Sequence, residues 1–513
     1  MTEEPVLAME DIQGNVLSGF NKSYQCLLGF KFASENGSVL RAKRWLRDVL
    51  PLITPLSQSY ASKLRVREFR LRAKGDPEDL RDKFFSVAFS YPGISKLTDQ
   101  SGGFSQAFQD GQWRRAPSLL GDPVKGDRGG LSSWKVGRDN SSTPDIFAIC
   151  AADRLEDLVE LREVVLAHAA SARLEPIYQE DGHDLPSGPN GTTGREHFGF
   201  KDLIARIRVR GRKSHASGDY FSPRKAGIPQ DPVLPEFAAP GEVLVWPGQF
   251  VLGYERQSTT DTRSSLPAIE PQPYWARNGS YLVFRRLTQD VMAFRQFVQH
   301  VRDQLAKDPA YGSITEEQVS AMFVGRWPNG TPLEVSPASS TPPNPTNDFE
   351  YLKDNWPPGS NSQPDVLGTR CPVSAHIRKV NPRDQGSDLG PSADNMCRSL
   401  LRRGIPFGDP LAPDVEPNSE PTRQERGLLF ISYQASIEET FETLTQDWMN
   451  STAGPTAPQG FDMLVGKNPD GGDRFCSFGK NQISTDQAFV YASGGGYFFT
   501  PSISAIRSVL SVD

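Results

Sequence analysis

Two stretches far apart in this chain repeat one grammar, and that repetition limits the fold more than any other feature. In the first half, "DIFAICAADRLEDLVELREVVLAHAASARLEPIY" begins with an apolar run, Asp145–Ala152, that reads as a buried strand. It passes into a segment where Leu155, Leu158, Leu161, Val165 and His168 recur at helical spacing. Asp153 and Glu156 stand three apart and predict a capping box at the helix start, and "ARLEPIY" follows as the next strand. In the second half "RGLLFISYQ" (Arg426–Gln434) reads as a strand running into "SIEETFETLTQDW". There Ser436 and Glu439 form the second capping pair, and Phe441, Leu444 and Trp448 line one face. "SYLVFRRL" and "VMAFRQFVQHVRDQLAK" open that half as strand and helix, and "QAFVYASGGGYFFTPS" predicts a hairpin-like pair of strands around three glycines. Further strands are expected at Gln25–Phe32, Leu64–Leu71 and Lys83–Tyr91. The repeated unit predicts a duplicated α+β architecture, with antiparallel sheets and helices on one face.

A chain of 513 residues exceeds one ordinary core, which agrees with two domains or one large duplicated unit. Its 42 prolines and 45 glycines indicate long irregular excursions, densest at Gly182–Gly194 and Pro328–Pro372. For the second of these, low-complexity disorder and an ordered loop leading to a site are both open. No apolar run is long enough to span a bilayer, so an integral membrane protein is not expected. The formal net charge of −6 argues against a nucleic-acid binder. Cys26, Cys150, Cys371, Cys397 and Cys476 are odd in number and contain no CxxC, which argues against a zinc knuckle or a disulfide framework and for a reducing compartment. The segment "MTEEPVLAMEDIQGNVL" has neither a basic nor an apolar signal-peptide region, so a cytoplasmic location is expected.

Only six histidines occur, and one, His376, lies in "CPVSAHIRKVNPR". A zinc site with Cys371 would need a second pair at structural spacing. A Ser–His–Asp site would need a nucleophile elbow. Haem needs one protein ligand, commonly a histidine, and a packing role needs nothing further. Local spacing leaves the last two open.

Several stretches, in order along nearly the whole chain, together resemble the dye-decolourising peroxidases, a haem peroxidase family. They are "DIQGNVLSGF", "FSYPGISKL", "HFGFKDLIAR", "PGQFVLGYE", "CPVSAHIRKVNPR", "LRRGIPFG", "GLLFISYQ" and "GGGYFFTPS". Length and loops resemble the larger members. The resemblance implies duplicated ferredoxin-like units with haem in the C-terminal half. Residues 1–235 would form the N-terminal ferredoxin-like domain carrying the distal aspartate segment, and 236–513 the haem-binding one.

By the same resemblance His376 is the axial ligand of one haem b per chain, and Asp462 in "GFDMLVG" accepts the proton of its far nitrogen. Arg402 aligns with the distal arginine, with Arg403 beside it. Asp202 matches the distal aspartate, although Leu203 stands where the family has glycine. Leu428 and Phe430 resemble an apolar wall, Arg378 and Arg383 are candidates for the haem propionates, and His197 is read as packing. Trp356, Trp327, Tyr351 and Tyr433 are candidate surface relays for bulky substrates by residue type. The implied activity is reduction of H2O2 with one-electron oxidation of phenolic, aromatic or dye substrates. The rival is a haem carrier or sensor on the same fold, its distal site impaired by Leu203.

Overall fold

A computed structural model describes residues 3–73, 80–126, 128–186, 193–202, 204–224, 238, 241–353, 363–456 and 460–512. The first half supplies strands β1 (Tyr24–Phe32), β2 (Lys83–Phe89), β3 (Ile146–Ala152) and β4 (Leu174–His183). The second supplies β5 (Ser280–Gln289), the short β6 (Leu401–Arg402) and β7 (Ile405–Phe407), and β8 (Gly427–Gln434). It continues with a hairpin of β9 (Arg474–Phe478) and β10 (Asn481–Thr485), and ends with β11 (Val490–Thr500). All of these except the hairpin join one sheet in the order β6-β8-β5-β11-β2-β3-β1-β4, with β7 also on β8. Counted within its own half, each set of strands runs fourth, first, third, second, which is the ferredoxin-like order. The two units share a sheet because β11 pairs with β2 at Phe499 and Phe89. The division expected at 235/236 lies outside the described residues.

Period-two alternation explains why the strands read as continuous apolar runs. On β3, Phe147, Ile149 and Ala151 enter one core, while Ile146, Ala148, Cys150 and Ala152 enter another. The sheet curls until its outer strands meet. Gly182 on β4 permits this: a Cβ there would stand 2.5 Å from Ile405 Cγ2 and 3.0 Å from the Pro406 carbonyl on β7. Inside the closed surface lie Leu27, Phe84, Phe147, Leu282, Leu429 and Ile431. Outside it, helix Ser38–Val49 lays Trp45 and Leu46, and helix Leu155–Ser171 lays Leu158 and Val165, on the first unit. Helices Val291–Leu305 and Glu316–Val324 build a third core with the hairpin and with Phe349, Tyr351, Cys371 and Ala375.

Three local expectations are corrected. Leu64–Leu71 belongs to helix Leu56–Arg72 rather than to a strand. Its apolar–basic alternation matches strand period, but helix formers surround it and solvent takes most of its surface. Asp153 does not cap its helix, whose N-cap is Arg154; its carboxylate accepts instead from Lys22 Nζ at 2.8 Å and Asp82 N at 2.9 Å. Ser436 does cap, accepting from Glu439 N at 3.1 Å. The glycines of "ASGGGY" make no turn; β11 runs straight through them with a bulge between Ala492 and Gly494. The described parts of 328–372 form an ordered loop, pinned for example by Trp327 Nε1 donating to Ser336 O at 2.7 Å and Asn344 N to Thr331 Oγ1 at 2.8 Å. Among the described residues no helix is long and apolar enough to cross a membrane.

Candidate functional site

His376 opens the short helix His376–Val380, so the preceding loop sets its ring. That loop is organised around Asp365, a buried carboxylate accepting from Thr369 N, Thr369 Oγ1 and Cys371 N at 2.7, 2.8 and 3.0 Å. His376 Nδ1 meets Asp462 Oδ2 at 2.6 Å, across 86 residues of sequence. The other Asp462 oxygen accepts from Leu464 N at 2.9 Å and Val465 N at 3.2 Å. Burial alone would push the Asp462 carboxyl up; the His376 ring and the two N–H groups outweigh it and hold the pKa below its ordinary value. An ionised Asp462 fixes the tautomer. Nδ1 carries the hydrogen and donates it, and the Nε2 lone pair is left for a metal. The His376 side chain keeps 30% of its surface open.

Arg402 ends β6 opposite Ser432 of β8. Cross-strand partners share a face, so Arg402 lies on the same outer face as Phe430 and Leu428. Its Nη1 stands 3.1 Å from Asp202 Oδ1. Arg403, one residue on, points the other way and donates to the carbonyls of Asn15, Val16 and Leu17 at 2.9, 3.0 and 2.8 Å. Strand alternation thus separates the two arginines. Asp202 follows a tight turn with Gly199 at φ +97°. Glu196 closes that turn, accepting from Phe198 N at 2.8 Å, Phe200 N at 2.9 Å and Gln289 Nε2 at 2.6 Å. Leu203 lies outside the described residues.

Leu428 and Phe430 alternate with the buried Leu429 and Ile431 but remain half-buried themselves, as does Leu287 directly opposite Leu428 on β5. These three side chains form an apolar wall without full cover. Arg383, at φ +55°, lies 3.7 Å over the Phe349 ring and donates to the carbonyls of Asn347 at 3.1 Å and Phe349 at 2.8 Å. Arg326 packs on the same ring and donates to Gly330 O and Thr346 O at 2.8 Å and to Asn347 Oδ1 at 2.7 Å. Burial, with the charges of Arg383 and Arg402 nearby, pulls Arg326 down to about 10. Among the described residues no carboxylate forms an ion pair with Arg326 or Arg383.

Other expected residues are placed elsewhere. Arg378 is fully buried and committed to the protein: it donates to Asp365 Oδ2 at 3.1 Å, Cys371 O and Asp365 O at 2.7 Å, and Gln385 Oε1 at 3.0 Å. With every nitrogen occupied, it has nothing to offer a propionate. Trp327, Tyr351 and Tyr433 are buried, so none meets a bulky substrate at the surface, because each packs its ring into a core. Trp356 lies outside the described residues. His197 is buried and bonded to Phe407 O at 2.9 Å, the packing role expected of it.

The assembled residues fit haem on their own chemistry. A histidine offers Nε2, an apolar wall stays half open, and two arginines without carboxylate ion pairs among the described residues carry charge that propionates could balance. Arg326, Leu287 and Glu196 were not singled out from the sequence. Only Leu287 left a trace there, as an alternate position on an apolar run.

Comparisons with known proteins agree with this fold. A family model described as the DyP dimeric alpha+beta barrel domain matches residues 11–183, and one described as Dyp-type peroxidase, C-terminal, matches residues 347–458. A dye-decolorizing peroxidase of Mycena epipterygia is 30% identical over 533 residues, covering 99% of this chain and 88% of the relative. Another, AauDyP1 of Auricularia auricula-judae, is 28% identical over 528 residues, covering 98% and 87%. The solved structure of an ancestral D-type dye decolorizing peroxidase superposes with a TM-score of 0.75 at 28% identity, covering 99% of this chain and all of that one.

Proposed function

We propose, for a chain that belongs to the dye-decolourising peroxidase family, that His376, backed by Asp462, would hold one haem b and that Arg402 and Asp202 would meet peroxide. The protein is a haem-dependent peroxidase, an oxidoreductase acting on dyes and aromatic compounds. When bound, haem supplies the redox chemistry: two-electron oxidation by peroxide, repaid in one-electron steps by a reducing substrate.

The residues of the chain do the rest. His376 Nε2 would ligate the iron, and Asp462, drawing on the Nδ1 hydrogen, would make the imidazole a stronger donor. The Asp202 carboxylate would take a proton from one oxygen of H2O2 and deliver it to the other. The Arg402 guanidinium, 3.1 Å from Asp202, would stabilise negative charge on the departing oxygen. Leu428, Phe430 and Leu287 would shield the apolar macrocycle from water, and Arg383 with Arg326 would bind its propionates. Five free cysteines support a reducing compartment, the cytoplasm, as the location. The carrier or sensor reading rested on Leu203 and finds no support among the relatives.

One observation carries the assignment: two polar pairs, His376–Asp462 and Arg402–Asp202, each join residues remote in sequence, and the second lies on the sheet face that carries the half-buried Leu428 and Phe430. Haem titration of the purified protein should end at one per chain, and His376→Ala should weaken binding about tenfold or more. Stopped-flow mixing of the haem-loaded protein with H2O2 should show Arg402→Leu slower by roughly 10²–10³ and Asp202→Asn slowed less. Parental haem affinity in His376→Ala removes the ligand assignment, and the reverse kinetic order rejects the ranking.

A further inference from the structure

We infer that Arg474 is a positioning residue for the reaction: it clamps the turn that carries Asp462 and so sets the hydrogen bond from His376. The inference rests on the haem reading above and adds a residue to it. Arg474 begins β9 and is 5% exposed. Its Nη1 donates to Met463 O at 2.7 Å and Gly466 O at 3.0 Å, and its Nη2 donates to Gln487 O. Met463 and Gly466 bracket Leu464 and Val465, the two residues whose N–H groups hold Asp462 Oδ1. Gly466 N donates back to Asp462 O at 3.0 Å, closing the turn. The near end of the turn is tied to the same strand, because Phe461 N donates to Phe475 O at 2.7 Å. Gly460 allows that contact: its φ is +111°, and a Cβ would stand 2.2 Å from Phe475 O.

Arg474 therefore fastens the far end of the Asp462 turn to the hairpin, while Phe461 fastens the near end. Among the described residues it forms no ion pair, although a guanidinium is costly to bury. Asp462 is the anion whose field it feels first. Asp462 reaches a metal only through its 2.6 Å contact with His376 Nδ1, and charge-assisted bonds of that kind depend steeply on geometry. A looser turn would lengthen that contact, leave the imidazole closer to neutral, and make it a poorer donor. Loss of Arg474 should then partly reproduce loss of the Asp462 charge.

The test uses the haem-loaded full chain and two readouts besides activity: the ferric/ferrous midpoint potential and the iron–histidine stretch in resonance Raman. Asp462→Asn should raise the potential and lower the stretching frequency. Arg474→Met should move both the same way by a smaller amount, with Arg474→Lys between it and the parent. In the Asp462→Asn background, Arg474→Met should add nothing. Parental potential and stretch in Arg474→Met at full haem content would overturn the inference, as would an additive shift in the double variant. If Arg474→Met does not fold, Arg474→Lys decides, and parental values in it overturn the inference. A chain that takes up no haem through His376 fails the functional reading instead, so the two failures are distinct.

Discussion

His197 and His376 are both histidines held by a single ring contact, and their surroundings give them different work. His197 is 7% exposed, with Nε2 at 2.9 Å from Phe407 O and Nδ1 buried without a partner among the described residues. Burial pulls its pKa from 6.5 down to about 4, so the native ring stays neutral and donates from Nε2. A histidine depressed in this way contributes stability fully above the unfolded value of 6.5 and loses it as pH falls towards 4. Over that window the loss reaches roughly 3 kcal/mol. His197→Gln keeps a donor for Phe407 and removes the titration. Calorimetric melting temperatures of parent and variant should run parallel above pH 7 and draw together, or cross, as the parent loses stability between pH 6.5 and 4. Curves parallel throughout would contradict the assignment. His376 has an ionised carboxylate against Nδ1 instead, and no local feature of "CPVSAHIRKVNPR" announces that partner, which comes from 86 residues away.

At the level of elements, the glycines of β11 show how one composition supports two readings. "SGGGY" predicts a turn, yet the strand passes through because neighbours leave no room for side chains. A Cβ on Gly495 would stand 1.9 Å from Gln112 Oε1 and 2.8 Å from Phe284 O. Gly495→Ala should therefore cost roughly 1–3 kcal/mol, read as a lower denaturant midpoint. Gly472→Ala, in an exposed turn where the nearest atom is the end of the Asn468 side chain, should stay within about 0.5 kcal/mol. Equal effects would remove close approach as the reason for the glycines. The same limit explains Leu64–Leu71 and Asp153. Alternation and cap spacing are local signals, and a longer helix or a nearby lysine can claim the same residues.

Across the whole molecule, one buried arginine joins the two units. Arg286 of β5 crosses the enclosed interior to Glu180 of β4 with two bonds of 3.0 Å, and a third of 3.0 Å reaches Glu425. Its side chain is 1% exposed. Breaking such a pair from one side leaves a charge without its partner, so Arg286→Met should cost roughly 3–5 kcal/mol in equilibrium unfolding. Arg286→Met with Glu180→Gln should recover much of that loss, since no carboxylate is then stranded on β4. A double variant no better than the single would show that the arginine acts by packing. The proposed site draws on both units too: Asp202 follows the strands of the first, while Arg402 and His376 belong to the second.

The sequence by itself determined the duplicated α+β plan. Period-two runs and helical spacing are written in consecutive residues, whereas the order of the strands in the sheet is visible only in their pairing. The ordered motifs also singled out His376, Arg402 and Asp202. The resemblance implied Asp462 as the partner of His376, and the structure brings the two to 2.6 Å. Tertiary structure alone decided that Arg403 turns away from Arg402, that Arg378 is consumed by Asp365, and that Arg326 joins Arg383 at Phe349. The physical reason is range. Propensity and periodicity act over a few residues along the chain, whereas hydrogen bonds and fields act over a few ångströms between segments that only the closed sheet brings together.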